Sequence, residues 1–202
     1  MKKICIIDYG LGNIRSLYNS IKKIGFVPTF YSERKNENFD LIFIPGVGSF
    51  NKASTLLNSP NLKSFLDQSK KNSVIFGICL GMQTLLSKGF EGGEHKGLDY
   101  IDGSVDRMSK KLILPNVGYQ KTFFSDQNYF SFLKKFNNEK FYFIHSYVAN
   151  VRNKKNILAS TASQDLNYCA AVSAERIIGT QFHPEKSGEI GLELIHEVVK
   201  NI

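Results

Sequence analysis

Short apolar runs alternate with amphipathic helical patterns over the first half of the chain. Four runs predict strands, at 3–8, 28–32, 40–46 and 73–79. The run at 40–46, DLIFIPG, is apolar enough to be buried on both faces, as the strands of a parallel sheet are. After the first run, apolar residues recur at the spacing of one helix face: Ile14, Leu17, Tyr18, Ile21 and Ile24. Gly25 is a suitable stop for that helix.

Two further helices are predicted around the third and fourth strands. Ser59 and Pro60 form an N-cap followed by proline at the first helical position, and apolar residues follow at 62–66. The segment LGMQTLLSKG (80–89) predicts a helix directly after the fourth strand. This β-α-β-α order favours an α/β fold, with helices on both faces of a parallel sheet.

The second half of the chain changes character. Strand-like segments joined by short turns replace the alternating pattern: KLILPNVGYQKTFFS, KFYFIHSYVAN, NILASTAS and YCAAVSAERIIGTQFH. They predict antiparallel or mixed additions to the sheet. A closing helix has one apolar face, formed by Ile190, Leu194, Ile195, Val198, Val199 and Ile202. No linker or repeat divides the 202 residues, so we expect a single domain over 1–202.

The composition excludes several classes of protein. No apolar run is long enough for a transmembrane helix, and the apolar stretch near the N-terminus is too short for the core of a signal peptide. The net charge is +8, but the lysines are scattered in pairs without an arginine-rich block. We therefore expect a cytoplasmic protein that binds neither membranes nor nucleic acids.

The three cysteines are far apart in the sequence and form no Cys-x-x-Cys pair. This spacing argues against a disulfide framework and against a thiolate metal site. Cys5 and Cys169 lie in apolar strand-like runs, so we expect them in the core. Cys79 differs because glycines stand on both sides of it, where the fourth strand meets the next helix.

The sequence Gly77-Ile78-Cys79-Leu80-Gly81 has the form of a nucleophile elbow, a sharp strand-to-helix turn with a reactive side chain at its tip. Glycines relieve the steric clash of such a turn, and the helix N-terminus favours the thiolate. The amide of Leu80 can then point at a developing oxyanion. The pattern alone is also compatible with a buried cysteine between unrelated glycines.

The segment TQFHPEKS (180–187) supplies a base for such a thiol and a residue to orient that base. Glu185 lies two residues after His183, and residues at this spacing project to the same side of an extended chain. Glu185 can therefore hold one imidazole nitrogen while the other faces Cys79. A histidine alone is more often a capping or core residue; together with the elbow it favours a Cys-His-Glu triad.

A third segment, IPGVGSF (44–50), places two glycines after a buried strand. The backbone at Gly46 and Gly48 can approach a ligand closely and present amide groups to it. A Gly-x-Gly pair is weak evidence for phosphate binding, and the wider dinucleotide fingerprint is absent. With Cys79 as nucleophile, a loop of oxyanion-stabilising amides is the better interpretation.

In this order and spacing, PGVGSF, GICLGMQ and QFHPEKS resemble the motifs of class I glutamine amidotransferases, which use a catalytic triad. The opening DYGLGNIRS and the segment FYFIHSY narrow the resemblance to the glutaminase subunits of imidazole glycerol phosphate synthase. The likeness extends from the first strand to the C-terminal helix. It implies a flavodoxin-like doubly wound sheet with a parallel core and antiparallel or mixed additions, and it implies no cofactor and no metal ion.

The resemblance also implies a role for each matching residue. Cys79 would attack the side-chain amide of L-glutamine to form a γ-glutamyl thioester, while His183 transfers protons and Glu185 orients His183. The oxyanion would be stabilised by the amides of Leu80 and, after a peptide flip, Val47. The positions that would hold glutamine are Gly46, Gly48, Gln83, Ser146 and Tyr147. For Ser146 and Tyr147, a half-exposed strand end is the alternative.

The implied partner is a (β/α)8-barrel synthase subunit, which forms a heterodimer with the glutaminase and receives its ammonia. Partner-facing positions of the family correspond to Asn13, Tyr119 and Lys186; Lys186 matches a partner-side lysine, whereas Tyr119 stands in place of the family's tryptophan. The family's glutaminase is expected to be weak until the partner binds its ligand, and the segment 45–48 is a suitable switch. One departure lies at 115–120, where Pro-Asn-Val-Gly-Tyr-Gln stands in place of a sequence close to Pro-His-Met-Gly-Trp-Asn.

Two alternatives stay open, and this departure is the reason for the first. One is a paralogous glutaminase that supplies ammonia to an enzyme modifying surface sugars. The other is a non-catalytic binding subunit, which the intact triad disfavours.

Overall fold

The computed structural model describes residues 2–31, 38–109, 111–126, 129–164 and 166–202. Its α-helices are α1 (Ile14–Lys23), α2 (Phe50–Leu57), α3 (Pro60–Ser69), α4 (Leu80–Thr84) and α5 (Gly188–Asn201). Its strands are β1 (Ile4–Ile6), β2 (Thr29–Phe30), β3 (Leu41–Gly46), β4 (Val74–Cys79), β5 (Leu86–Gly89), β6 (His95–Lys96), β7 (Ile101–Arg107), β8 (Asn116–Phe124), β9 (Glu139–His145), β10 (Tyr147–Val151), β11 (Ile157–Ser163), β12 (Leu166–Ala174) and β13 (Ile177–Thr180). Short 3-10 turns cover Ser131–Phe136, Lys154–Asn156 and Pro184–Lys186.

The larger of two sheets has the order β2-β1-β3-β4-β13-β12-β11-β8-β9. The first five of these strands are parallel, and their order is that of flavodoxin-like doubly wound sheets. The remaining four continue the sheet in antiparallel pairs. The predicted α/β fold with a parallel core and antiparallel additions is therefore confirmed.

Helices cover the parallel strands on both faces, which explains why β3 and β4 are buried along their whole length. On one face, Leu41 and Phe43 belong to the same apolar cluster as residues of α1 and α5. On the other face, Ile42 and Ile44 pack with residues of α2 and α3. Such alternation along a strand is what a sheet between two helical layers requires. Cys5 and Cys169 are both buried, as predicted.

A cluster of phenylalanines fixes the chain that leads out of β13. Phe182 is fully buried and stacks on Phe141, with 4.3 Å between the ring centroids. It also makes edge contacts with Phe124 and Phe143. Because the next residue is His183, this packing sets the position of the predicted base.

The predicted helix over 80–89 is wrong in its second half. α4 ends at Thr84, and β5 follows in a second sheet with the order β10-β7-β5-β6. Long-range pairing explains the difference, because β5 forms a parallel pair with β7. In addition, Gly89 packs so closely on Phe50 that a Cβ atom at Gly89 would lie 2.8 Å from the ring. Among the α-helices and strands of the described residues, α2, β6 and β7 were not predicted.

The strand-like segment KFYFIHSYVAN divides at Ser146 into strands of different sheets. β9 forms the edge of the larger sheet, and β10 forms the edge of the smaller one. The predicted strand at 28–32 is only two residues long, and Ser32 lies outside the described residues. α3 begins at Pro60, as predicted. Among the described helices, none has the length and apolar character needed to span a membrane.

Candidate active site

Cys79 is the last residue of β4 and lies at the tip of a sharp turn into α4. Its φ of 53° and ψ of −107° are unusual for a residue with a side chain, and surrounding structure must hold such a strained conformation. The flanking glycines make the turn possible. A Cβ atom on Gly81 would lie 1.7 Å from the carbonyl oxygen of Ile44, and one on Gly77 would lie 2.6 Å from that of Gly81.

Polar groups surround the thiol of Cys79. The side-chain amide of Gln181 donates to Sγ from 3.7 Å, and the carbonyl oxygen of Ile144 lies 3.8 Å from Sγ as an acceptor for the thiol proton. Leu80 is the first residue of α4, so its N–H has no acceptor within the helix. A thiolate here has a side-chain donor beside it, and the backbone N–H of the next residue has no acceptor within its own helix.

His183 and Glu185 form a buried pair, with exposed side-chain fractions of 2% and 4%. His183 Nδ1 lies 2.8 Å from Glu185 Oε1, and because a carboxylate only accepts, Nδ1 carries the proton. His183 Nε2 is buried and makes no hydrogen bond of ordinary geometry to another described residue. Burial lowers the pKa of His183, but hydrogen bonding and charge from Cys79 and Glu185 outweigh it and raise the pKa to about 10. The imidazolium is therefore the form favoured beside a Cys79 thiolate.

A short turn brings the side chain of Glu185 to His183. The prediction of an extended chain between these two residues is wrong. The turn Pro184–Lys186 is a 3-10 helix that folds the chain back after His183. The N–H of His183 donates to the carbonyl oxygen of Tyr142 at 2.9 Å. The hydroxyl of Ser187 donates to the carbonyl oxygen of His183 at 2.7 Å. These bonds tie the base to β9 and to the start of α5.

The glycine loop begins where β3 ends beside β4. Gly46 is the direct neighbour of Cys79 in the strand pairing, and Gly48 has a φ of 112°. Val47 between them is 40% exposed, so its backbone lies near the surface of the site. The Tyr9 hydroxyl is buried behind this loop, 2.5 Å from where a Cβ atom of Gly46 would be, and it has no hydrogen-bond partner among the described residues. Burial, followed by the charge of Cys79, raises the pKa of Tyr9 well above its ordinary value.

An open cavity of about 490 Å³ lies over the nucleophile. Its walls include most of the predicted site residues: Val47, Gly48, Cys79, Leu80, Gln83, Ser146, Tyr147, His183 and Lys186. Gly46 lies outside the lining, against Tyr9 and the elbow, and Glu185 lies behind His183. No group of three or more His, Cys, Asp and Glu side chains in the described chain is arranged to hold a metal ion.

Gln83 is engaged by the protein itself. Its Nε2 donates to the carbonyl oxygen of Tyr147 at 3.1 Å and to Oε1 of Gln181 at 3.0 Å. Gln181 in turn donates to Cys79 Sγ. Gln83 therefore holds the wall of the cavity together and links it to the nucleophile.

Several site residues were missed by the sequence reasoning. Glu91 and Arg107 line the cavity, and Glu91 also accepts the N–H of Phe50 at 2.7 Å. Neither position carries a local signal, since both come from segments whose place in the smaller sheet was not predicted. Gln181 and His145 could have been predicted as site residues, because they lie inside the segments TQFHPEKS and FYFIHSY, which carry the family resemblance.

The three predicted partner-facing residues lie on different elements. Tyr119 is 57% exposed on β8, and its hydroxyl donates to the carbonyl oxygen of Lys186 at 3.1 Å. Lys186 reaches the cavity from the turn after Glu185. Asn13 caps α1 by accepting the N–H of Ser16 at 3.4 Å. Tyr119 and Lys186 thus contact each other beside the cavity. Asn13 caps the helix that reaches the same turn, because the hydroxyl of Ser16 donates to the carbonyl oxygen of Glu185 at 3.4 Å.

Comparison with known proteins identifies the class to which this fold and site belong. The family model described as "Glutamine amidotransferase class-I" matches residues 5–200. A solved structure titled "Crystal structure of glutamine amidotransferase" superposes with a TM-score of 0.70 at 14% identity and covers 98% of this chain and 99% of its own. The "Structure of PurLQS from Thermotoga maritima" superposes with a TM-score of 0.72 at 18% identity, covering 99% of both chains.

Curated relatives narrow the class further. The chain is 38% identical over 196 residues to "Imidazole glycerol phosphate synthase subunit HisH" of Sulfolobus acidocaldarius, covering 96% of each. It is 39% identical over 203 residues to "Imidazole glycerol phosphate synthase subunit HisH 2" of Methanococcus maripaludis, covering 98% of each. The chain therefore belongs to the class I glutamine amidotransferases, within the family of HisH subunits of imidazole glycerol phosphate synthase. These relatives support the histidine-biosynthesis interpretation over the sugar-modifying alternative.

Proposed function

We propose that this chain hydrolyses L-glutamine to glutamate and ammonia, and that it delivers the ammonia to the synthase subunit of imidazole glycerol phosphate synthase in the cytoplasm. The observation that carries the proposal is the arrangement of Cys79, His183 and Glu185. A nucleophile on a strained elbow faces a cavity, and a buried imidazole stands beside it with its other nitrogen held by a carboxylate. This is the geometry of nucleophilic amide hydrolysis.

The first half of the reaction forms a thioester. The Cys79 thiolate attacks the side-chain carbonyl carbon of glutamine, and the carbonyl oxygen becomes an oxyanion. The N–H groups of Leu80 and, after a peptide flip, Val47 stabilise it, each contributing about 3 kcal/mol. The imidazolium of His183 then gives its Nε2 proton to the leaving nitrogen. The C–N bond breaks, ammonia leaves, and a γ-glutamyl thioester remains on Sγ.

The second half regenerates the enzyme. His183, now neutral, takes a proton from a water molecule that attacks the thioester carbonyl. The C–S bond breaks, glutamate leaves, and Cys79 and His183 return to thiolate and imidazolium. Glu185 keeps the same ring orientation in both halves because its bond to Nδ1 is undisturbed.

Charges at the cavity mouth fit the backbone end of a free amino acid. The carboxylate of Glu91 is complementary to an α-ammonium group, and the guanidinium of Arg107 is complementary to an α-carboxylate. Ser146 and Tyr147 stand on the same wall, at the junction of β9 and β10. This supports a free glutamine, with both charged groups, as the substrate in preference to a glutamine side chain within a protein.

An exposed apolar surface beside the cavity supports a protein partner. Val117, Tyr119 and Ile144 on β8 and β9 are 52%, 57% and 38% exposed, and Val117 lies directly opposite Ile144 in the strand pairing. Tyr119 and Ile144 flank the cavity through their contacts with Lys186 and Cys79. A (β/α)8-barrel subunit seated here would form a heterodimer and receive ammonia directly, which keeps its effective concentration high.

The partner claim is tested by mixing the purified chain with the barrel synthase subunit and its formimino nucleotide substrate. We expect the rate of glutamate formation to rise in the complex. Replacing the docking surface, as in Tyr119→Ala, should reduce this rise and leave the rate of the chain alone unchanged. Absence of any stimulation by the synthase subunit would contradict the histidine-pathway assignment, while hydrolysis by the chain alone would still support the glutaminase.

A further inference from the structure

Strand β8 carries its polar and apolar side chains on unexpected sides. Val117 and Tyr119 face outward and are exposed, whereas Asn116 is buried and Gln120 is half-buried on the inner side. An edge hairpin that served only the core would place these types the other way round. The outer face is accounted for by the docking surface proposed above, but the inner polar groups need an explanation of their own.

The inner groups form a buried hydrogen-bond network around Asn116. Its Oδ1 accepts from Gln120 Nε2 at 2.8 Å and from the hydroxyl of Ser163 at 2.9 Å. Its Nδ2 donates to the hydroxyl of Tyr168 at 2.9 Å and lies 3.1 Å from His145 Nε2. The Tyr168 hydroxyl donates in turn to Gln120 Oε1. Each polar atom of Asn116 is therefore satisfied, and its orientation is fixed.

His145 continues the network toward the active site. It lies directly opposite Asn116 in the pairing of β8 with β9, and it is buried. Its Nδ1 lies 2.9 Å from the carbonyl oxygen of Tyr147, which can only accept, so Nδ1 carries the proton and Nε2 accepts from Asn116. Burial lowers the pKa of His145 to about 4, in agreement with this neutral form.

The same Tyr147 carbonyl leads to the nucleophile. It accepts a second hydrogen bond from Gln83 Nε2 at 3.1 Å, and Gln83 also donates to Gln181 Oε1. The other end of the Gln181 amide donates to Cys79 Sγ. A second, shorter connection runs through the residue before His145, because the carbonyl oxygen of Ile144 faces Sγ.

We propose that His145 is a positioning residue that couples the partner-facing strand β8 to Cys79, through Asn116 on one side and Tyr147, Gln83 and Gln181 on the other. The inference rests on the proposed function and names its regulation. When a partner seats on Val117 and Tyr119, β8 and β9 settle into one arrangement. The hydrogen bond from His145 then fixes the position of the Tyr147 carbonyl oxygen. Gln83, which donates to that oxygen and to Gln181, thereby fixes the Gln181 amide that donates to Cys79 Sγ. A network of satisfied hydrogen bonds has few alternative arrangements, which suits it to carry such coupling.

The first test needs no partner. Cys79 is alkylated with a glutamine-like diazoketone, and the rate is compared among His145 variants. His145→Phe keeps the ring shape and removes both hydrogen bonds, so the rate should fall about tenfold. His145→Asn places an amide N–H where Nδ1 was, so it restores the bond to Tyr147 and should recover most of the lost rate. An unchanged rate in His145→Phe, or no recovery in His145→Asn, would overturn the proposal.

The second test uses the complex with the synthase subunit and its nucleotide. Asn116→Leu cuts the link between β8 and His145 at a residue that touches neither glutamine nor Cys79. The chain alone should keep its glutaminase rate, whereas stimulation by the partner should fall about tenfold with the KM for glutamine unchanged. Full stimulation of Asn116→Leu would overturn the proposal.

A matched control separates coupling from general support of β8. Thr161 is buried in the neighbouring strand β11, and its hydroxyl donates to the carbonyl oxygen of Lys121 on β8 at 2.7 Å, outside the network. Thr161→Val should leave stimulation intact, and an equal loss in this variant would reduce Asn116 to a structural role. If the unaltered chain neither hydrolyses glutamine nor reacts with the diazoketone, the proposed function itself fails, and this inference fails with it.

Discussion

His183 Nδ1 donates a hydrogen bond of 2.8 Å to Glu185 Oε1, and both side chains are almost completely buried. The bond fixes the imidazole so that Nε2 is the nitrogen available to Cys79. It also helps to hold the proton on the ring, since burial alone would lower the pKa of His183 and the two partners together raise it. Glu185 therefore supports His183 as the general acid of the proposed reaction in two ways: it orients the ring, and it stabilises the protonated form.

Glu185→Gln should separate these two contributions. The amide keeps the shape of the carboxylate but removes its charge, so the pKa of His183 should fall from about 10 toward its ordinary value. The imidazolium is the acid form, so the high-pH limb of kcat should move to lower pH, and kcat should fall at least about tenfold. Rates of glutamate formation between pH 6 and 10 measure both effects. A high-pH limb at the same position in both proteins would show that Glu185 does not support the acid.

Gly81→Ala should destroy the elbow. The added Cβ would lie 1.7 Å from the Ile44 carbonyl oxygen, within rigid backbone, so we expect more than about 3 kcal/mol of lost stability and no glutaminase activity. Gly25→Ala is the control, because Gly25 has a positive φ but open space around it, and should cost only about 1 kcal/mol with activity retained. Urea unfolding of both variants measures the difference. Equal losses would mean that the close approach at the elbow is not what requires glycine.

These glycines show what the sequence could predict. Gly77, Cys79 and Gly81 form a local signal, because a strand and a helix meet within five residues. The sharp turn between them brings backbone so close that glycine is needed on both sides of Cys79. The buried strands β3 and β4 were equally predictable, since their continuous apolar runs reflect two covered faces. The triad followed because the second motif, TQFHPEKS, also lies in one short stretch.

The rest of the site depends on pairing between distant segments. β5 contains Leu86–Gly89, a stretch with good helical pattern, and became a strand only because β7 lies beside it. Without that second sheet, Arg107 and Glu91 could not be placed at the cavity. His145 was visible in the sequence, but its role depends on Asn116, which lies opposite it across a strand pair that no local pattern defines.

Arg107→Met should weaken the binding of glutamine without affecting the chemistry. The exposed Arg107 side chain lines the cavity from the last residue of β7 and is not one of the triad residues, so its loss should raise KM about tenfold and leave kcat nearly unchanged. Arg107→Lys keeps the charge but loses the two-pronged donor geometry, and it should give an intermediate KM. Steady-state kinetics with glutamine measure these changes. A lowered kcat at unchanged KM would contradict a role in binding the α-carboxylate.

His145 should leave a signature in the dependence of stability on pH. Its pKa is lowered to about 4 in the folded chain, and in the unfolded chain it is near 6.5. Between these values the unfolded chain binds one more proton, so this group's contribution to stability is complete above about pH 6.5 and is lost as the pH falls toward 4. The slope is about 1.4 kcal/mol per pH unit. The titratable groups near His145 are Tyr168, which stays neutral in this range, and His183.

Urea unfolding of the unaltered chain and of His145→Asn at several pH values between 4 and 7 isolates this contribution. The variant should lack the slope that His145 supplies, so the two stabilities should draw closer as the pH falls. Parallel curves would mean that His145 is not held neutral by the fold.

The central claim, that Cys79 releases ammonia from glutamine for use by a synthase subunit, is tested most directly with Cys79→Ala. The complex of the variant with the barrel subunit is supplied with the nucleotide substrate and either glutamine or ammonium chloride, and product formation is followed in both. The account predicts no product and no glutamate from glutamine, with synthesis from ammonium at the rate of the unaltered complex. Glutamate release by Cys79→Ala at the unaltered rate would contradict it.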